Sequence, residues 1–410
     1  MSLDKRMEKL LAHREVKHKE IPPRLEVELS ASALINNYEA IQSLVPGQLI
    51  LPMLKANAYG HGAEWASRLL EKMPGLYGLG VATLEEGAQL RKVLSVRKAS
   101  KVGSKTSLKE SLRKRMVSIL VFTGTVDWSE EKGEFCEEFG LTPVLASEVG
   151  WTRFLKGGWP TRLSYELQFN TGMNRLGIEP SFIPALIKGF KTLPESAFPC
   201  GIFSHLAMSE RPEDPLSKIQ LERFIKIRRD LKSLLPHAYF HLSNSGGIWN
   251  HKHFGISELT EVVRPGLSLY GIPPWPGAPE RGISSVMTVR SRVVAIHRLK
   301  PGDSIGYGGT FKVQGREQVC AAIVSAGYAD GINRALSNQG FAWLNGKSTR
   351  FLGVVSMDLC AIQCWPDTSV GDSVEFLGPH VDPWSQAKKA GTIPYELFTS
   401  LSERVKRIYV

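Results

Sequence analysis

Short apolar runs alternate with stretches of helical spacing from about residue 24 to about residue 264. Arg24-Leu25-Glu26-Val27-Glu28-Leu29 alternates apolar and charged positions, as a strand does. Leu34, Ile35, Tyr38, Ile41 and Leu44 then fall on one helical face, with Ser30 or Ser32 placed to cap the helix. The run Leu49 to Leu54 predicts a strand that ends on Lys55, and a helix follows from about Gly62 to Lys72. Further strands are predicted at 76–82, 118–122, 141–145, 162–169, 200–206, 239–243 and 261–264. Helices are predicted over 84–90, from near Glu148, and over 216–234. About eight strands alternating with helices predict an α/β fold, a parallel (β/α)8 barrel of TIM type. Past Pro274 the texture changes to β-rich runs such as Val286 to Ile296, broken by turns such as Pro301-Gly302-Asp303 and Asn345-Gly346-Lys347. The expected organisation is an exposed leader over 1–23, a barrel over 24–275 and a mostly β C-terminal domain over 276–410.

Composition changes this picture little. A hydrophobic content of 42% and a charged content of 22% are those of a soluble globular protein. The net charge of +11 is largely local, because residues 97–115 carry eight basic residues against one acid, Glu110. That insert reads as a basic solvated surface, with a site for anionic partners as the sharper alternative. No nucleic-acid recognition motif accompanies it. The five cysteines have no metal-like spacing, which fits reduced thiols in a cytoplasmic protein without a metal site. The charged N-terminus lacks the apolar core of a signal peptide, and no apolar run approaches the ~20 residues of a membrane span.

Candidate chemistry lies where a barrel places it, after the C-terminal ends of the strands. Lys55 follows a buried run, where desolvation disfavours its ammonium form and leaves an amine able to attack an aldehyde cofactor. His205, the Asn244-Ser245-Gly246-Gly247 segment and Arg264-Pro265-Gly266-Leu267 end later strands. The two Gly-containing segments can offer backbone N–H groups, and Ser245 a hydroxyl, to a phosphate. A lysine and a late-strand phosphate cradle on one barrel face suit pyridoxal 5′-phosphate.

Leu54-Lys55-Ala56-Asn57-Ala58-Tyr59-Gly60-His61-Gly62 resembles the pyridoxal-phosphate lysine signature of the alanine racemase family. Asn170-Thr171-Gly172-Met173-Asn174-Arg175-Leu176-Gly177, His205-Leu206-Ala207, Asn244-Ser245 and Arg264-Pro265-Gly266 follow in family order. So do Gly306-Tyr307-Gly308-Gly309-Thr310-Phe311, Gly327-Tyr328-Ala329-Asp330-Gly331, Ser356-Met357-Asp358 and Tyr395-Glu396-Leu397. The resemblance runs from about Arg24 to the C-terminus and leaves out the leader and the basic insert. It implies that Lys55 carries the cofactor and is one of two bases. Tyr307 is the other, supplied across a head-to-tail homodimer. Tyr59, Ser245, Gly266, Leu267 and Tyr395 would bind the phosphate. His205 would pack by the pyridine ring, and Arg264 would hydrogen-bond the pyridine nitrogen. Arg175 and the Met357 backbone would handle the substrate carboxylate, and Tyr328 would line the entry from the partner subunit.

The implied reaction interconverts L- and D-alanine and would feed peptidoglycan synthesis. Two fixed bases on opposite faces of Cα avoid the need for one base to swing around the substrate. Lysine and tyrosine have similar reference pKa values, about 10.4 and about 10, which suits a reaction with an equilibrium constant near one. A nearby arginine such as Arg175 would favour the Tyr307 phenolate. Family members often have a carbamylated lysine where Gln168 stands and an aspartate where Asn170 stands. With neutral amides at both, Arg175 needs another anion, either a chloride ion or a carboxylate from elsewhere. The same two amides motivate the runner-up, a broad-specificity racemase acting on basic amino acids. A barrel-type decarboxylase would place an acid at the cofactor nitrogen, where this chain has Arg264.

Overall fold

In a computed structural model the chain is described over residues 23–95 and 116–410. All but the last residue of the expected leader, and the whole of the basic insert, lie outside the described residues. Eight short parallel strands form the barrel: β2 (Leu49–Ile50), β3 (Leu79–Val81), β4 (Ile119–Val121), β5 (Thr142–Leu145), β6 (Glu166–Gln168), β7 (Gly201–Phe203), β8 (Tyr239–His241) and β9 (Val262–Val263). From β3 to β9 each strand pairs with its neighbour in sequence, and β9 pairs with β2. The ring closes between β2 and β3 through single bridges, Ile50 to Leu76 and Met53 to Gly80. Most of these strands are buried throughout, because helices cover one face and the barrel interior the other.

β1 (Leu25–Leu29) is not among them. Although it precedes the barrel in sequence, it pairs antiparallel with β10 (Met287–Leu299) and parallel with Lys406–Tyr409. Its alternating burial is that of a strand with one face on a core and one in solvent, whereas the barrel strands are buried on both sides. β10 organises the second sheet. Its first half pairs with β1 and Ser373–Leu377, and its second half pairs with Val319–Val324, which in turn pairs with Cys360–Cys364. Two short helices, Pro383–Ala390 and Pro394–Thr399, accompany these strands.

One apolar core joins the two sheets, with Leu29, Val289 and Leu377 in the same cluster as Leu167, Ile202 and Val263. The predicted first helix forms over Ala31–Leu44, and of the two candidate caps it is Ser30 whose Oγ accepts from the Ala33 amide. No helix among the described residues is long and apolar enough to cross a membrane. No cluster of metal-ligating side chains occurs among them either.

Candidate active site

Lys55 stands just beyond β2, as the barrel argument requires, but the chain does not simply run on from a strand. Ala56, Asn57, Ala58 and Tyr59 have φ between 51° and 55°, so the backbone winds left-handed directly after the lysine. Such a conformation costs an L-residue about 1–2 kcal/mol. Tertiary contacts hold it. The Glu86 carboxylate accepts from the Ala56 amide at 2.7 Å and from the Ala82 and Thr83 amides at 2.8 and 3.2 Å. Asn57 Oδ1 accepts from the Ala63 amide at 2.8 Å. His61 Nδ1 lies 3.1 Å from the Ala58 carbonyl and 2.9 Å from that of Tyr59, and Arg407 donates to the Gly60 carbonyl at 3.0 Å. Tyr59 is thereby turned back beneath Lys55, whose Nζ lies 6.0 Å from the centre of its ring.

A cavity of about 330 Å³ opens at this end of the barrel. Lys55, Tyr59, Arg175, His205, Ser245, Arg264, Gly266, Leu267 and Tyr395 all line it. Nine of the twelve residues expected at the site are therefore brought together. One group forms a polar cradle. Ser245 Oγ accepts from the Gly266 and Ser268 amides at 3.0 and 3.3 Å. A Cβ at Gly266 would lie 2.6 Å from the Tyr59 hydroxyl, so only glycine lets these two elements meet. The Tyr59 and Tyr395 rings are 5.6 Å apart, and among the described residues neither hydroxyl donates to a protein acceptor. Three hydroxyls and close-approaching backbone around one small volume suit an anion with several oxygens.

Deeper in the barrel Arg264 is buried and fixed by four acceptors. It donates to the Ser204 carbonyl at 2.7 Å and the Leu242 carbonyl at 3.1 Å. It also reaches His241 Nδ1 at 2.7 Å and His205 Nδ1 at 3.4 Å. Burial pulls its pKa down to about 10, so it remains a cation at neutral pH, and the Glu166 carboxylate opposes the shift. His205 is held neutral, its pKa lowered to about 3 by burial and then by Arg264, Arg175 and Lys55. Lys55 is open to the cavity mouth, yet enough protein surrounds its amine for desolvation to lower its pKa. Arg175 lowers it further, and Glu86 works in the opposite direction. The site therefore weakens the ammonium form relative to a lysine in water.

Arg175 forms no ion pair or side-chain hydrogen bond among the described residues. The two amides expected beside it are committed elsewhere. Gln168 donates to the Leu176 carbonyl at 3.3 Å. Asn170 donates to Asn174 at 2.9 Å and to Glu179 at 2.6 Å, and accepts from the Gly172 amide at 3.0 Å.

The remaining three residues, Tyr307, Tyr328 and Met357, do not line the cavity. They are 74%, 42% and 53% exposed, unusual values for large apolar side chains. The loops carrying Tyr328 and Met357 are zipped together by the Tyr328 amide to the Ser356 carbonyl at 3.0 Å and the Ala329 amide to the Met357 carbonyl at 3.1 Å. Behind them buried Asp330 binds Arg24 and Arg404, at 3.1 and 2.7 Å, and Arg404 also reaches Asp358 at 2.6 Å. Hydrogen bonds and ion pairs thus tie these loops together, while the Tyr328 and Met357 side chains stand exposed.

His61 gives a testable property of the turn. It is fully buried, its Nε2 has no partner among the described residues, and burial lowers its pKa from 6.5 to about 4. The unfolded chain thus binds the proton more readily, so stability is full above about pH 6.5 and falls as pH drops towards about 4. At about 1.36 kcal/mol per pH unit this residue alone costs up to roughly 3 kcal/mol. Thermal melts of the apoprotein between about pH 7 and about pH 4.5 should show this loss. A His61→Gln variant should have a visibly shallower pH slope, and an unchanged slope would refute the assignment.

Comparison with known proteins agrees with this geometry. The family model "Alanine racemase, N-terminal domain" matches residues 29–274, and "Alanine racemase, C-terminal domain" matches residues 286–409. The chain is 34% identical over 392 residues to an alanine racemase of Rickettsia akari, covering 94% of this chain and 98% of that protein. It is 32% identical over 389 residues to one of Legionella pneumophila, covering 94% and 99%. Among solved structures, the alanine racemase of D-cycloserine-producing Streptomyces lavendulae superposes with a TM-score of 0.81 at 25% identity, covering 95% of this chain and 98% of that one. The alanine racemase of Bartonella henselae, solved with covalently bound pyridoxal phosphate, superposes with a TM-score of 0.78 at 29% identity, covering 95% and 100%. With both family models matched and these relatives covered almost end to end, the chain belongs to the alanine racemase family of isomerases.

Proposed function

We propose that this protein racemises alanine with pyridoxal 5′-phosphate, using Lys55 as one base and the partner subunit's Tyr307 as the other. The observation that carries the reading is the joining, in one cavity, of a lysine with lowered basicity, a hydroxyl-lined anion cradle and a buried arginine. These residues fit the cofactor. Tyr59, Ser245, Gly266, Leu267 and Tyr395 would take its phosphate, His205 would pack beside its ring, and Arg264 would donate to its ring nitrogen. When bound, the cofactor supplies the electron-withdrawing ring that acidifies a Cα proton. Lys55 Nζ, its basicity lowered by burial and by Arg175, can accept a proton on one face of Cα and return it. The Tyr307 hydroxyl does the same on the other face, and the exposure of Tyr307 on its own protomer leaves it free to reach a partner's cavity. Arg175 and the partner subunit's Met357 backbone would hold the substrate carboxylate, with the partner subunit's Tyr328 at the entry. Cytoplasmic location and supply of D-alanine for peptidoglycan belong to the same reading.

Chiral analysis of a panel of L-amino acids, with added pyridoxal 5′-phosphate, tests the substrate. Alanine should racemise fastest. Optically unchanged alanine alongside racemised lysine or arginine would instead establish the basic-amino-acid reading suggested by Gln168 and Asn170.

Among the described residues no side chain ion-pairs with Arg175, and a chloride ion beside it would complete the charge balance. Bromide-soaked crystals should give an anomalous peak next to its guanidinium. A map with no such peak removes the halide.

A further inference from the structure

The barrel interior holds a buried acid that the proposed reaction does not use. Glu166 is the first residue of β6, and its side chain has no exposure. Its Oε2 is 2.9 Å from His241 Nε2, and its Oε1 accepts from the Tyr77 hydroxyl at 2.6 Å. His241 is also fully buried, and its other ring nitrogen faces Arg264 Nη1 at 2.7 Å. Room is made for this carboxylate across the sheet, since a Cβ at Gly201 would come within 2.5 Å of Glu166 Oε1.

The proton positions follow from donor chemistry. A guanidinium can only donate, so His241 Nδ1 must present its lone pair to Arg264. The ring proton then sits on Nε2 and points at Glu166. A carboxylate is acceptor-only, so it enforces that tautomer, and the Tyr77 hydroxyl donates to its second oxygen. Were His241 protonated on Nδ1 instead, two donors would face each other at Arg264 and the guanidinium would have to move. A carboxylate buried without such bonds would be costly, and here every oxygen is engaged.

We infer that Glu166 is a positioning residue which, through the tautomer of His241, holds the Arg264 guanidinium aimed at the cofactor's ring nitrogen; the inference rests on the proposed role of Arg264. Glutamine at position 166 keeps the shape but can either accept from or donate to His241, so it no longer dictates the tautomer.

The test compares binding of pyridoxal 5′-phosphate with that of 1-deazapyridoxal 5′-phosphate, in which a C–H replaces the ring nitrogen. The wild-type protein should prefer the nitrogen-containing ligand, because only it can accept from Arg264. Glu166→Gln should reduce that preference about tenfold, the scale of a charge-assisted hydrogen bond. An unchanged preference, whether both affinities hold or both fall together, assigns Glu166 a packing role only and overturns the inference. If Glu166→Gln gives no cooperative melt, Tyr77→Phe serves in its place, with a fall of about threefold expected because one restraint on the carboxylate remains. Nitrogen NMR of selectively labelled apoprotein reads His241 directly. A wild-type ring protonated on Nε2 agrees with the inference, and one protonated on Nδ1 overturns it. Failure of the wild-type protein to bind either ligand would count against the cofactor reading and leave the NMR result to judge the relay.

Discussion

Lys55→Ala should lower alanine racemisation about 10⁴-fold in both directions, because it removes the covalent anchor and one of the two bases at once. It should also abolish borohydride-stabilised attachment of pyridoxal 5′-phosphate, measured as a mass increase on the intact protein. The expectation rests on the electrostatics of the amine as much as on its place. Desolvation and Arg175 both favour the neutral form, while the Glu86 carboxylate limits the shift. Folding should be little affected, because the Lys55 side chain opens onto the cavity and the left-handed turn is held by Glu86, His61 and Arg407. A Lys55→Ala protein that melts normally yet still gains the cofactor's mass would show that another amine is the anchor. A variant that loses attachment but keeps wild-type racemisation would separate the anchor from the base.

The turn around Lys55 also shows where reading a sequence stops. The apolar run into Lys55 and the motif beyond it placed the lysine at the catalytic end of the barrel. Nothing local predicted the handedness that follows. Alanine is the best right-handed helix former, so Ala56 and Ala58 argue against a left-handed turn on propensity alone. The conformation is imposed by residues remote in sequence: Glu86 at the amide end and Arg407 at the carbonyl end. The first strand illustrates a different limit. Leu25-Glu26-Val27-Glu28-Leu29 was legible as a strand, and its strict alternation already marked it as half exposed. Strands buried on both faces read as continuous apolar runs, as β3 and β4 do. That difference in pattern separates β1 from the barrel strands.

Glu166 and His241 were missed for a related reason. Each sits inside an apolar strand with no motif around it, and only the closed ring of strands brings them to Arg264. The available signal was the single charge in Tyr165-Glu166-Leu167, since a carboxylate in a strand buried throughout needs a partner nearby. By contrast, Ser245, Gly266 and Leu267 were legible because phosphate binding by hydroxyls and close backbone leaves a local pattern of small residues after a strand.

Tyr307→Phe should slow proton abstraction from the L face by about 10²- to 10⁴-fold, the usual contribution of a positioned base, and slow the D face far less. Exchange into deuterated water, followed separately from each enantiomer, reads the two faces. Equal losses at both faces would contradict the assignment of one base to each. The structural premise is that Tyr307 works away from its own barrel. It stands 74% exposed in a turn where Gly306 and Gly308 take φ of 76° and 68°, conformations open to glycine. Apolar Ile305, Leu352, Val354 and Leu359 line a pocket beside it. This premise has a sharper consequence than the single variant. In a dimer with shared sites, a Lys55→Ala protomer can still lend its Tyr307, and a Tyr307→Phe protomer still has its Lys55. Coexpressed in equal amounts, half of the dimers are mixed and each mixed dimer has one intact site of two. Activity should therefore return to about a quarter of the wild-type value, although each variant alone lacks one of the two bases that racemisation needs. If both bases came from one chain, no mixed dimer could assemble an intact site, and the mixture would be no more active than the average of its parents.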